Sequence, residues 1–155
     1  MNSVVIAKFG GSVIGIDGAS IPLIIERIKS LTGKSKVIAV FSAPLTTVDG
    51  TRRSLTDVAL ELGKIAEGGS VPDLTIVRKT YEKISELVDS KFQNECKMMI
   101  DDYLEKVKTE LEKVVKNKEF ADETRSKILA FSGEIIMSQM MEYILKSHNI
   151  KSQFV

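Results

Sequence analysis

Lys8-Phe9-Gly10-Gly11-Ser12 places a cation, two glycines and a hydroxyl directly after the apolar run Val4-Val5-Ile6-Ala7. That order suits a phosphate site. Glycines let main-chain N–H groups approach phosphate oxygens, and the ammonium offsets the charge of the anion. At about 4 Å and an effective dielectric near 20, one ammonium–phosphate contact is worth roughly 4 kcal/mol before desolvation. The same residues also suit an ordinary glycine turn with a solvent-facing lysine. The run Gly10-Gly11-Ser12-Val13-Ile14-Gly15 matches neither G-x-x-x-x-G-K-S/T nor G-x-G-x-x-G.

Two further groups are candidates. Ser42, followed by Thr46, Thr47 and Asp49, ends the apolar run Val37 to Phe41. Its hydroxyls and carboxylate suit a small polar substrate, and they equally suit a plain turn. Glu134 follows Ser132-Gly133 where a helical pattern opens. There it is either a first-turn acid, stabilised by about 0.3–1 kcal/mol through the helix dipole, or a carboxylate aimed at a substrate ammonium. The one histidine, His148, falls near a helix C-terminus, which excludes a Ser/His/Asp set. Cys96 and the methionines at 98, 99, 137, 140 and 141 fit apolar helix faces. Lysines 106, 108, 113, 116 and 118 alternate with glutamates 105, 110, 112 and 119, the pattern of a solvated face.

The elements that must position these groups follow from periodicity. Residues 3–9 and 37–41 are continuous apolar runs, read as strands buried on both faces of a parallel sheet. Between them a helix is expected from Ser20 to Thr32, with Ser20 as N-cap, Pro22 in the first turn and Gly33 in the left-handed C-terminal position. Strand, helix, strand makes a βαβ unit, so the residues near Gly10 and Ser42 emerge at one carboxyl edge, where open α/β sheets bind ligands. Thr46 to Arg53 reads as an open loop, and Leu55 to Glu67 as a helix closed by Gly68-Gly69. Apolar residues at 74, 77, 81, 84 and 88, then at 100, 104, 107, 111 and 114, predict an antiparallel helical hairpin packed seam to seam. Another helix begins after Asp122, one more spans Ile135 to Lys146 with Asn149 as its cap, and Ile150 to Val155 reads as a third strand.

At 155 residues, 43% apolar and 28% charged, the chain suits one globular domain. Lys and Arg number 22 against 21 Asp and Glu, so no net field favours nucleic acid or an anionic membrane. The apolar runs read as too short for a bilayer span, and the N-terminus shows no signal-peptide pattern. One cysteine excludes an internal disulfide framework, and a single Cys with a single His cannot build a standard zinc site. A cytoplasmic protein is expected. With so few strands in hand, the chain is also expected to be part of a larger protein.

Taken in order, Lys8-Phe9-Gly10-Gly11-Ser12, Val40-Phe41-Ser42-Ala43 and Phe131-Ser132-Gly133-Glu134, with helices between the second and third, resemble the N-terminal part of aspartate kinases, members of the amino-acid kinase superfamily. The segments are similar to that family's K-F-G-G-S/T, V-V-S-A and S-F-G-E motifs, the last with its first two residues reversed here. The resemblance implies a three-layer α/β/α sandwich with a mainly parallel sheet, and a helical insertion at about residues 55–125. It implies that residues 1–155 form the amino-acid- and phosphate-binding part of a catalytic domain. The family's ATP-binding half and its ACT domains are absent, so little or no activity is expected of this chain alone. The implied reaction moves the γ-phosphoryl of MgATP to the β-carboxylate of L-aspartate, opening lysine, threonine and methionine synthesis. By the same resemblance Lys8, Gly10 and Gly11 contact phosphates, with Lys8 the catalytic cation. Ser12 and Ser42 line the nucleotide and aspartate sites, and Glu134 binds aspartate through its ammonium group. ATP with Mg2+ and L-aspartate are the expected ligands, with no nucleic acid, no membrane and a homo-oligomer in the full-length protein. Two departures stand out. The threonines precede the valine of the family's Val-Thr-Asp/Asn, which leaves Thr47 as the choice for the substrate threonine, and Ile135 stands where an arginine often follows Gly-Glu. The alternatives are a sister enzyme phosphorylating acetylglutamate, glutamate, carbamate or a nucleoside monophosphate, and a non-catalytic module that docks through the helical hairpin.

Overall fold

The computed structural model describes residues 3–155. Strand β1 (Val4–Phe9) pairs in parallel with β2 (Lys36–Phe41), and Phe9 registers with Phe41. Those two buried rings stack at 5.3 Å, an arrangement worth about 0.5–1.5 kcal/mol beyond area burial. They pin the carboxyl ends of both strands together. Just past them the Ser42 amide donates to the Phe9 carbonyl at 3.0 Å. A single turn of helix, α1 (Gly11–Ile14), and then α2 (Ile21–Thr32) form the crossover. Ile21, Ile24, Ile25 and Ile28 recur at helical spacing and are all buried. Ser20 precedes α2 without a side-chain cap bond, and Gly33 is right-handed at φ −64° rather than left-handed.

Burial of both sheet faces is not what the structure shows. Side chains alternate across a strand, and one face of the pair is open. On it Val4 is 58% exposed, Ile6 71%, Ile38 52% and Val40 44%. An apolar run rich in β-branched residues does not distinguish one buried face from two. A three-layer sandwich is therefore not complete among the described residues; the architecture is a mixed α/β one with short sheets. The expected third strand is also missing. Residues 150–155 take no regular secondary structure and pair with no strand. They are held instead on the last helix, where the Ser152 hydroxyl lies 3.4 Å from the Glu142 carbonyl and the Ile150 amide donates to Leu145. Between this segment and the free edge of β2 runs a groove of about 630 Å³.

The expected open loop at 46–53 is a β-hairpin. Strands β3 (Leu45–Val48) and β4 (Thr51–Ser54) pair antiparallel around Asp49-Gly50, with φ 47° and 76°. Two successive left-handed residues give the turn whose twist matches a two-residue hairpin, and Asp-Gly is a favoured pair for it. Ser54 then caps α3 (Leu55–Glu67), its Oγ accepting the Asp57 amide at 3.0 Å.

Helix α4 (Thr75–Ser85) and helix α5 (Gln93–Asn117) run antiparallel. Gln93 donates to the Ser85 carbonyl at 2.8 Å, while further along Arg78 meets Asp101 at 2.6 Å. The seam residues Val77, Tyr81, Ile84, Val88, Ile100, Leu104, Val107, Leu111 and Val114 are all buried. Helix α5 shares its apolar side with α3, α6 (Asp122–Ser132) and α7 (Glu134–Ser147) as well as α4, so the hairpin is part of a bundle. Two residues depart from their sequence reading. Glu110 is buried against Lys113 at 2.5 Å rather than solvated, and Met98 is exposed rather than on an apolar face. The run Asp122–Ser147 is long and apolar enough to cross a membrane by length and composition, contrary to the reading from apolar runs. Gly133 interrupts it, and half of its most apolar window is buried inside the protein. Asn149 is left-handed at φ 57°, as expected of a residue closing α7.

Candidate active site

Three sequence segments meet at Ala43. A Cβ on Gly11 would lie 2.5 Å from the Ala43 carbonyl oxygen, and a Cβ on Gly133 would lie 3.1 Å from the Ala43 Cβ and 2.8 Å from the Leu129 oxygen. Only glycine permits both approaches. The turn after β1, the end of β2 and the junction before α7 thus close on one small residue, although Gly11 and Gly133 are far apart in sequence. Gly10 is different. Its backbone is extended at φ −73°, ψ 164°, and nothing lies within 4 Å of where its Cβ would be. The space beside it is open to a ligand. Gly11 and Ser12 open α1, so their amides have no intrahelical acceptor.

Lys8 lies opposite Val40 in the register and projects from the open sheet face. Among the described residues it forms no ion pair. Glu134 is the exposed first residue of α7 and borders the groove along β2 together with Val40 and Phe41. Helix α7 therefore brings its carboxylate to the end of the strand that Lys8 neighbours. No ion pair joins Glu134 to Lys8, and no hydrogen bond joins Ser42, Thr47 and Glu134 to one another among the described residues. Ser42 is half-buried beside the Phe9–Phe41 stack.

The structure separates the two threonines. Thr46 is buried, its hydroxyl 2.9 Å from that of Thr80, which gives it a structural partner. Thr47 is exposed. Its cross-strand partner is Arg52, so both side chains lie on the same face of the hairpin. Arg52 donates from Nη2 to the Ser12 hydroxyl at 3.4 Å. Ser12 and Thr47 are thereby brought to one surface. The neighbouring arginine is spoken for, since Arg53 pairs with Glu61 at 2.5 Å. Arg52 has no carboxylate partner among the described residues, and sequence reasoning missed it. The signal available was its offset from Thr47 across an Asp-Gly turn.

Behind this surface Tyr81 is fully buried, and its phenol is held well above its ordinary pKa by burial first and by the charge of Glu134 second. The phenol is a donor at any ordinary pH.

Fold and site together define an α/β protein with a Gly-Gly-Ser turn at the carboxyl end of a parallel strand pair. The model of the amino acid kinase family matches residues 3–155, and the chain belongs to that family. Membership implies a kinase acting on an amino acid or a similar acceptor. Among curated proteins no match was found.

Proposed function

We propose that this amino acid kinase acts on L-aspartate, moving the γ-phosphoryl of MgATP to the β-carboxylate and giving 4-phospho-L-aspartate. The observation that carries the reading is the convergence at Ala43 of Lys-Phe-Gly-Gly-Ser, Ser-Ala and Ser-Gly-Glu, in the aspartate kinase order. The chemistry agrees with it. An aspartate carboxyl has a pKa near 3.9, so about all of it is ionised at neutral pH and no general base is needed. Its oxygen attacks the γ-phosphorus while the bond from that phosphorus to the bridging oxygen breaks, and ADP leaves with the electron pair. Positioning and charge neutralisation carry the rate. In this reading the amides at Gly10 and Gly11 receive phosphate oxygens, Lys8 offsets charge on the transferring group, and Ser12 lies beside the nucleotide. Ser42, Thr47 and Glu134 hold the acceptor, Glu134 through the ammonium group. Magnesium arrives on the ATP phosphates and supplies further neutralisation. The open space at Gly10 and a Lys8 that forms no ion pair among the described residues fit a polyphosphate. A docking role for the helical hairpin has less support, because its apolar seam is consumed within its own core.

Hydroxylamine trapping with the full-length enzyme tests the proposal. Aspartyl hydroxamate is expected with L-aspartate, and acceptor-dependent ADP release, read in parallel, is expected with L-aspartate and not with acetylglutamate, glutamate, carbamate or a nucleoside monophosphate. In Lys8→Ala the rate is expected to drop by roughly 10²–10³-fold, the range for losing one group that stabilises transition-state charge. Preference for another acceptor, or unchanged turnover in Lys8→Ala, overturns the reading.

A further inference from the structure

Two adjacent side chains on α4 reach the two elements that carry the proposed acceptor residues. The Tyr81 hydroxyl lies 2.9 Å from the Ser132 carbonyl and 3.0 Å from the Gly133 carbonyl, the two peptide oxygens just before Glu134. The last carbonyls of a helix lack intrahelical donors. Ser132 cannot help, since its own hydroxyl turns back to Ile128 at 2.7 Å. Tyr81 is thus the buried donor that fixes this junction. One residue earlier, the Thr80 hydroxyl lies 2.9 Å from Thr46 Oγ1 and 2.9 Å from the Ile76 carbonyl. It ties the same helix to β3, one residue before Thr47.

We propose that Thr80 and Tyr81 are positioning residues that set the separation of Thr47 and Glu134 across the acceptor pocket. The helical insertion is then a strut first for the acceptor side, because Lys8, Gly10, Gly11 and Ser12 are carried by β1 and α1 and take no hydrogen bond from Thr80 or Tyr81. This rests on the reading of Thr47 and Glu134 as acceptor contacts. Tyr81→Phe keeps the ring and removes the donor: the Ser132 carbonyl loses it in a dry interior, while the Gly133 carbonyl keeps only the Met137 amide at 3.1 Å. The junction shifts to find other partners, and Glu134 moves with it.

The test uses Tyr81→Phe and Thr80→Val, with Thr80→Ser as the conservative rescue, in the full-length enzyme. Because small misplacements of bound groups are costly, KM for L-aspartate is expected to rise about tenfold while KM for ATP stays within about twofold, with Thr80→Ser near wild type. A second readout needs no substrate: amide hydrogen exchange over residues 133–137 is expected to quicken about tenfold in Tyr81→Phe as the junction loosens. If the wild type uses a different acceptor, the aspartate reading fails, and the selectivity is then read on that acceptor. Unchanged exchange and unchanged acceptor KM in Tyr81→Phe overturn the positioning role. Equal damage to the acceptor and ATP constants, or faster exchange with no change in acceptor KM, also overturns it.

Discussion

Alanine at Gly10 adds a methyl group where nothing lies within 4 Å, at a backbone geometry open to any residue. The folded state gains no clash and the unfolded chain loses freedom, so stability is expected to be unchanged or to rise by roughly 0.4–1 kcal/mol. At Gly11 the same methyl falls 2.5 Å from the Ala43 oxygen and must retreat by 0.5 Å merely to reach 3.0 Å. Main chain lies on both sides of that contact. Overpacking of this kind costs about 1–3 kcal/mol, and each kcal/mol lowers the melting temperature of a chain this size by roughly 2–4 °C. Calorimetric melting of the two variants, with titration by ATP or tripolyphosphate, separates ligand from fold. Gly10→Ala is expected to melt like wild type yet bind polyphosphate about fivefold or more weakly, since an overpacking penalty of about 1–3 kcal/mol falls on the complex alone. Gly11→Ala is expected to lose both stability and binding. Wild-type affinity in Gly10→Ala refutes the close approach of a polyanion to this turn. Wild-type melting in Gly11→Ala refutes the contact with Ala43.

Arg52→Ala removes an exposed side chain with no carboxylate partner among the described residues, so stability is expected to move by no more than about 0.5 kcal/mol. Binding of tripolyphosphate or L-aspartate, measured over a range of salt, should weaken and lose part of its salt dependence, with Arg52→Lys restoring only part of it. Burial pushes the Cys96 thiol from 9.0 up to about 11. The folded state then holds its proton more tightly than the unfolded chain, so this contribution to stability is constant below about pH 9 and falls as pH rises from there toward 11. A thiol reagent at pH 8 should label Cys96 only on unfolding; fast labelling of the native protein contradicts its burial.

Much of the scaffold could be read from local pattern. The helix at 55–67 announced itself through Gly68-Gly69 at its end, and both observed limits agree with the reading. The apolar runs of β1 and β2 were equally plain, and their parallel pairing puts Gly10 and Ser42 at one edge as expected. Features fixed by distant partners were not legible. The exposure of Ile6 depends on no layer lying over it, which the residue type does not encode. That Thr46 has a buried hydroxyl partner depends on Thr80, 34 residues away. Arg52 became visible only once the Asp49-Gly50 turn folded it across from Thr47 and over Ser12. Glu110 sits in a charge-rich stretch, yet it is buried beside Lys113.

The uncovered side of the β1–β2 pair bears on how the protein must be handled. A free strand edge beneath bare valines and isoleucines is a template for unwanted strand addition, and charged side chains on such a surface act as brakes. Lys8 and Lys36 are the cations on that side. Removing Lys8 therefore strips a solubilising charge as well as the proposed phosphate contact, and light scattering belongs beside every activity measured on that variant.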